Sequence, residues 1–485
     1  MVCRSTALTI ASLVSLAYAQ GIPDIAWGFA SSAYQIEGAW NVDGKGPSVW
    51  DTWFKGGNKL IPSNIEADPN SPIAAGDPFV TDDHYHRVDE DVAIMSNLKV
   101  SMYRFSVSWP RLLPNCSGQV NQAGIEFYSN LIDKLLANGI QPILTMYHWD
   151  TPQACQDQYG SLSNRTQFIA DFTNYADVLF KNFGSRVKYW LTINEPAAYC
   201  GRAFGPKNSA FVWPPGIGGP IPAKYECVAT VAITHGAVVN LARKNYSQYN
   251  MQFSMPLIIK WYIPVTDADT AAANQATLSQ GDWLWGPLTT ASGVYPDYLK
   301  TIVTDDMDGS LLPTFTAAES AIMKGTLDYV AVNYYSASYF NTVSSVPKPS
   351  LNHASSGVSW QYSYPQGIRD ITKFLSNSYG PLLSTSKNNQ APILISECGY
   401  GSITEAFGTV ADAKNDVDRQ AFFDGITQNL ALAVNTDKTP IFGFLAWSLM
   451  DNLEWLTFDQ TWEGQCWQIG SLLCRKQKLY SARET

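Results

Sequence analysis

Trp190-Leu191-Thr192-Ile193-Asn194-Glu195-Pro196 and Ile393-Leu394-Ile395-Ser396-Glu397-Cys398-Gly399 are the two stretches that decide the fold. In each, an apolar run ends abruptly at a carboxylate, and Pro or Gly then stops the strand. Strands that are apolar on both faces belong to parallel sheets covered by helices. Two carboxylates at the ends of such strands, facing one cleft, can divide acid/base and nucleophilic work on a glycosidic bond.

The same pattern recurs along the chain. Candidate strands lie at 25–31, 101–108, 141–147, 189–193, 252–258, 328–333, 392–396 and 441–447, eight in all. Helical stretches separate them. Over 121–138, Tyr128, Leu131, Ile132, Leu135 and Leu136 keep helical spacing, and Gly139 stops the helix. Stretches 165–182, 224–245 and 415–434 behave similarly. Eight strand–helix units predict an α/β fold, a single (β/α)8 TIM barrel with long βα loops. An open doubly wound sheet is the alternative, but Gly38, Gly44 and Gly46 do not form its G-x-G-x-x-G phosphate turn. The stretches 205–222 and 343–358 read as loops on the barrel, so 20–485 is expected to be one domain.

A barrel gathers the polar residues that end its strands. Gln35 and Glu37 follow the first strand, Arg104 lies in the second, and His148 and Trp149 end the third. Asn194 and Glu195 end the fourth. Tyr335 follows the sixth, Glu397 ends the seventh, and Glu454 and Trp455 follow the eighth. All fall at the C-terminal face, where barrel enzymes keep their chemistry.

Composition narrows the classes. The 485 residues are 46% hydrophobic and 13% aromatic, with 16 Trp, enough for a large core and for planes on which sugar rings stack. A net charge of −10 without a basic stripe excludes a nucleic-acid binder. Arg4, the apolar run 7–16 and Ala17-Tyr18-Ala19 read as a signal peptide over 1–19, cleaved before Gln20, and predict a secreted chain with no membrane span. Sequons at Asn115, Asn164 and Asn245 would then be glycosylation sites. Cys3 leaves with the signal. An odd number of cysteines remains, with Cys200 and Cys227, flanking one loop, as the best disulfide candidates. No CxxC pair suggests zinc. His84, His86 and Asp150 read as structural.

At these residues the chain resembles glycoside hydrolase family 1, the β-glucosidases and their relatives, from about Trp27 to Trp455. The matching motifs are Phe29-Ala30-Ser31-Ser32-Ala33-Tyr34-Gln35-Ile36-Glu37-Gly38, Tyr103-Arg104-Phe105-Ser106-Val107-Ser108-Trp109 and Tyr147-His148-Trp149-Asp150. Thr192-Ile193-Asn194-Glu195-Pro196, Val332-Asn333-Tyr334-Tyr335 and Ala446-Trp447-Ser448-Leu449-Met450-Asp451-Asn452-Leu453-Glu454-Trp455 complete the set. The resemblance implies a retaining β-glucosidase acting on cello-oligosaccharides or aryl and alkyl β-glucosides, with no metal or organic cofactor. It implies Glu195 as acid/base and Glu397 as nucleophile. Gln35, His148, Trp149, Asn194, Asn333, Tyr335, Trp447, Glu454 and Trp455 would bind the sugar, and Trp360 would line the aglycone side. Arg104 and Tyr335 would keep Glu397 ionised.

The resemblance also admits a β-galactosidase, β-fucosidase or 6-phospho-β-glycosidase. Glu454 would repel a 6-phosphate. A non-catalytic sugar-binding relative is a further alternative, although such proteins lose carboxylates that this chain keeps. Departures from the family are Ser396 for threonine, Cys398 for an amide beside the nucleophile, and Gly286 for aspartate before Pro287. In 456–485 the family's Arg-Phe-Gly strand and full last helix are not evident, so the C-terminal helix is expected to be incomplete.

Overall fold

The computed structural model describes residues 25–56, 78–206, 213–303, 307–342, 345–346, 361–401, 416–450, 452–453 and 455. Trp360, Glu454 and the 456–485 tail lie outside the described residues.

Nine parallel strands form one curled sheet. They are β1 (Ala26–Ala30), β2 (Met102–Ser106), β3 (Gln141–Tyr147), β4 (Tyr189–Ile193), β5 (Gln252–Ser254), β6 (Leu257–Ile258), β8 (Val330–Tyr334), β11 (Ile393–Cys398) and β12 (Ile441–Trp447). Their order is β5-β4-β3-β2-β1-β12-β11-β8-β6. The sequence predicts one continuous fifth strand over 252–258. The structure instead breaks it at Met255-Pro256, because proline has no N–H to give to a ladder. β5 pairs with β4 and β6 pairs with β8, so the two ends of the order are consecutive pieces of one strand and the TIM barrel closes there. Asp328, two residues before β8, holds β5 on its near side of the break. Its backbone N–H donates to Phe253 O (2.9 Å), and its Oδ2 accepts from Phe253 N (2.9 Å).

Period-two alternation assigns the strand residues to two layers. Ala30, Met102, Ile143, Leu191, Ala331, Leu394 and Leu445 fill the barrel interior. Phe29, Phe105, Leu144, Trp190, Val332, Ile395 and Phe444 face the helices. Close strand contact demands small residues: a Cβ on Gly28 would lie 1.7 Å from Met102 O. The helices match the sequence periodicities within a few residues, at Gln122–Ala137, Arg165–Phe183, Ile221–Asn245 and Val417–Asn435. Gly139, at φ +71°, adopts the left-handed turn after the first of these.

A small second sheet stands beyond the C-terminal ends of β6 and β8. Its strands are β7 (Trp261–Pro264), β9 (Ala337–Phe340) and β10 (Ser345–Val346). Cys200 and Cys227 are bonded, as the loop spacing suggested. A second disulfide, Cys116–Cys155, was not legible, because it joins the loop after β2 to the short helix Gln153–Tyr159 after β3. At Gly286 a Cβ would meet Pro296 Cδ at 2.8 Å, which accounts for glycine there.

Candidate active site

β11 carries an irregularity that builds the site. Leu394 points into the barrel and Ile395 points out. The register with β8 then shifts between Ile395 and Glu397. A bulge of this kind re-aims a side chain. Ser396 and Glu397, though consecutive, both reach polar interior partners, and Cys398 returns to the helix-facing core. Burial pushes the Cys398 thiol well above its ordinary range. The cysteine thus replaces the family's amide without facing the carboxylates. Glu397 lies inside β11 rather than just after a strand ending at 396.

Glu397 is 4% exposed. Arg104 Nη1 donates to its Oε1 (2.6 Å) and Tyr335 OH to its Oε2 (2.7 Å). The family resemblance implies that these donors keep the group ionised. Burial outweighs them: the carboxyl is raised above the usual glutamate range, with Arg104, Tyr335 and Asn333 pulling the other way.

Arg104 is fully buried, two residues along the inner face from Met102, and all its bonds go to protein. Nε donates to Thr145 Oγ1 (2.9 Å), Nη1 also to Ser396 O (3.0 Å), and Nη2 to Asn194 Oδ1 (2.7 Å). A guanidinium only donates, so it fixes the Asn194 amide with its oxygen toward Arg104. Asn194 Nδ2 then faces His148 Nε2 (3.1 Å), which must be the lone-pair nitrogen. Burial, with the Arg104 charge adding to it, holds His148 well below the usual histidine range. The ring is neutral and carries its proton on Nδ1, which is buried and has no hydrogen-bond partner among the described residues. The Asn194 amide, to which the resemblance gives a sugar-binding role, also sets the tautomer of His148.

Glu195 is 7% exposed and sits at φ 40°, ψ 58°, a left-handed conformation that few non-glycine residues adopt. Its N–H donates to Pro256 O (3.0 Å) at the break in the fifth strand. Pro196 follows as the first residue of the helix Pro196–Ala203. Asn333 Nδ2 donates to Glu195 Oε1 (2.5 Å), and the same side chain acts on Glu397. The hydrogen bond from Asn333 to Glu195 and the register pairing of Asn333 with Glu397 gather the two carboxyls around one residue.

The wall is aromatic. Trp149, at φ 74°, donates from Nε1 to Asn194 O (2.7 Å). Trp50 Nε1 holds Trp149 O (3.0 Å) from the helix Val49–Lys55, whose Ser48–Asp51 capping box sets its entry. Trp455 packs 4.5 Å from Trp50 and 4.9 Å from Trp149, while Trp447 stacks on His148 at 5.8 Å. Gln35, given a sugar-binding role by the sequence, has its amide on Asn452 Oδ1 (3.2 Å) and Leu453 O (2.7 Å) and accepts from Ser32 (2.6 Å). Glu37 points away from the carboxyls, paired with Arg111 (2.9 Å) and Tyr128 (2.5 Å). His84 pairs with Asp91 (2.5 Å). Thr145 and Ser396 were missed by sequence reasoning. Thr145 could have been found, since it stands two residues from the inward Ile143.

Asp150 is a buried carboxyl without a well-formed hydrogen bond on either oxygen among the described residues. Burial pushes it up to about 8, against small opposite pulls from Ser108 and Lys45. The native chain therefore keeps a proton that the unfolded chain loses near pH 4, and stability should fall as pH rises from about 4 to about 8. Asp150→Asn should match the parent near pH 4 and exceed it by several kcal/mol at pH 8, about 1.4 kcal/mol for each pH unit between. Denaturant titrations at the two pH values test this; an equal gap at both would refute it.

A TIM barrel with two buried carboxyls beside one asparagine at its C-terminal mouth is the architecture of a glycoside hydrolase, and comparison with known proteins agrees. The model for glycosyl hydrolase family 1 matches residues 20–462. "Beta-glucosidase 24" of Oryza sativa subsp. japonica is 35% identical, over 89% of this chain and 86% of its own. "Beta-glucosidase 1B" of Phanerodontia chrysosporium is 33% identical, over 89% and 79%. A rice β-glucosidase mutant, solved in a covalent complex with Glc, superposes with a TM-score of 0.77 at 31% identity, covering 93% of this chain and 94% of that one. A family 1 β-glucosidase from the fungus Humicola insolens, solved with glucose, gives 0.76 at 29% identity, covering 92% of each chain. The chain belongs to glycosyl hydrolase family 1.

Proposed function

We propose that this hydrolase is a retaining β-glucosidase that removes terminal β-D-glucosyl residues from cello-oligosaccharides or aryl and alkyl β-glucosides. The observation that carries the reading is the Asn333 side chain acting on both Glu195 and Glu397, with Arg104 and Tyr335 on Glu397. Two carboxyls gathered around one asparagine suit a nucleophile and an acid/base that act on the same anomeric carbon. Both oxygens of Glu397 are held, so its attacking lone pair has a fixed direction. Glu397 forms a bond to the anomeric carbon as the aglycone oxygen leaves with a proton from Glu195. Water then attacks the same carbon, Glu195 takes its proton, and the Glu397 ester breaks. The covalent sugar complex of the rice relative supports the intermediate.

The neutral His148 Nδ1–H, the Trp149 and Trp447 rings, and a Gln35 amide released from 452–453 would bind the sugar. Loss of the Glu397 charge should set the acid limb of activity above the ordinary glutamate range. Secretion is supported by the leader-like start, by two disulfides and by exposed Asn115, Asn164 and Asn245. Among the described residues no helix is long and apolar enough to cross a membrane.

The test is hydrolysis of an aryl β-D-glucoside by the expressed chain, with proton NMR of the first-formed anomer and parallel assays on the galactoside and fucoside. β-Glucose appearing first supports the reading. α-Glucose first would refute retention. Faster turnover of galactoside or fucoside would move the assignment to that sugar, and a folded, silent chain would favour sugar binding alone.

A further inference from the structure

Through its hydroxyl Ser396 touches the Asn333 amide that serves Glu195, and neither its backbone nor its side chain is idle. Its carbonyl is held by Arg104 Nη1 (3.0 Å), so the residue is anchored to the same guanidinium that grips Glu397. Its Oγ lies 2.6 Å from Asn333 Oδ1. An amide oxygen only accepts, so the serine hydroxyl donates. Asn333 is fully buried and pairs in register with Glu397 across β8 and β11. Its amide has two orientations, related by a half-turn. One aims Nδ2 at Glu195 Oε1, and the other would aim the oxygen at that carboxyl.

We propose that Ser396 is a positioning residue of the hydrolytic site: its hydroxyl locks the Asn333 amide so that Nδ2, not Oδ1, faces the carboxyl side. The proposal rests on the glycosidase reading above. The lock works through hydrogen-bond polarity. With Oδ1 held by the serine, Nδ2 is committed to the carboxyl side, and there it favours the charged form of either glutamate. Without the hydroxyl, Oδ1 is a buried acceptor with no strong donor, and the flipped amide competes. The flipped amide presents an oxygen to the carboxyls, which favours their protonated form. Both groups should then hold their protons to higher pH. The bulge in β11 makes this possible, because it turns Ser396 and Glu397 inward together. In a regular strand one of the two would face the helices.

The experiment compares the full chain with Ser396→Ala and Ser396→Thr. The pH profile of kcat/KM on an aryl β-glucoside is measured, and the carboxyl titrations of Glu195 and Glu397 are followed by carbon-13 NMR. Ser396→Ala should lose roughly tenfold in kcat/KM, and both limbs of its profile should move up by about half to one pH unit. Ser396→Thr keeps the hydroxyl and should restore the rate and the limbs. A lower melting temperature with unmoved limbs and unmoved titrations would overturn the proposal and leave Ser396 a packing residue. So would a threonine variant that behaves like alanine. The two readings fail separately. A parent that turns over none of the glycosides refutes the function, while the NMR titration, which needs no turnover, still decides the role of Ser396.

Discussion

Glu397→Ala should cut turnover by roughly 10⁴–10⁶-fold, the scale of losing a covalent nucleophile. The substitution also removes the countercharge of a fully buried arginine. Arg104 keeps Thr145, Ser396 O and Asn194, but an uncompensated buried charge costs about 3–5 kcal/mol when its partner goes. The alanine variant is thus expected to be inactive and measurably less stable. Glu397→Gln supplies the control. It keeps an acceptor for Arg104 and the shape of the side chain, so it should fold closer to the parent and stay inactive. Circular dichroism and initial rates on an activated aryl glucoside decide the matter. Parent-like rates in either folded variant would remove Glu397 from the nucleophile role.

Glu195→Gln should divide substrates by leaving group. The proton from Glu195 is needed only where the departing oxygen is a poor leaving group, so alkyl glucosides and cellobiose should lose about 10²–10⁴-fold in the first step. An activated dinitrophenyl glucoside departs unaided and should lose little there. Its second step still lacks a base, so the glycosylated enzyme should accumulate and appear as a burst. A uniform loss across leaving groups, with no burst, would sink the acid/base assignment. Asn333 complicates the choice of variant usefully. A glutamine at 195 can present its oxygen to Nδ2, so the local hydrogen bond can persist and the lost function can be read separately from lost structure.

Much of this was legible in the sequence because parallel strands announce themselves twice, as runs apolar on both faces and as polar residues where those runs stop. The strands at 141–147, 189–193 and 441–447 coincide with β3, β4 and β12 for that reason. The break at Met255-Pro256 was visible as a proline inside an apolar run. What it does was not, because the acceptor it frees is used by Glu195, which is distant in sequence. The bulge after Ile395 was illegible for a similar reason. Composition does not say that two consecutive residues point the same way. The chain of Arg104, Asn194 and His148 is likewise a matter of hydrogen-bond polarity between strands, which no single motif encodes. The upward pull of burial on Glu397 was illegible too, since the desolvation of a carboxyl depends on everything that covers it.

The aromatic wall has an optical consequence. Trp50, Trp149, Trp213 and Trp455 stand with ring centroids between 4.5 and 6.4 Å apart. Indoles so close share their excitation, and the folded chain should show a coupled signal in the near-ultraviolet that the unfolded chain lacks. A ligand seated against Trp149 would change the spacing or polarity around one member and so alter the signal of all four. Occupancy of the pocket could then be read from light the protein itself absorbs and emits, in variants that turn over nothing.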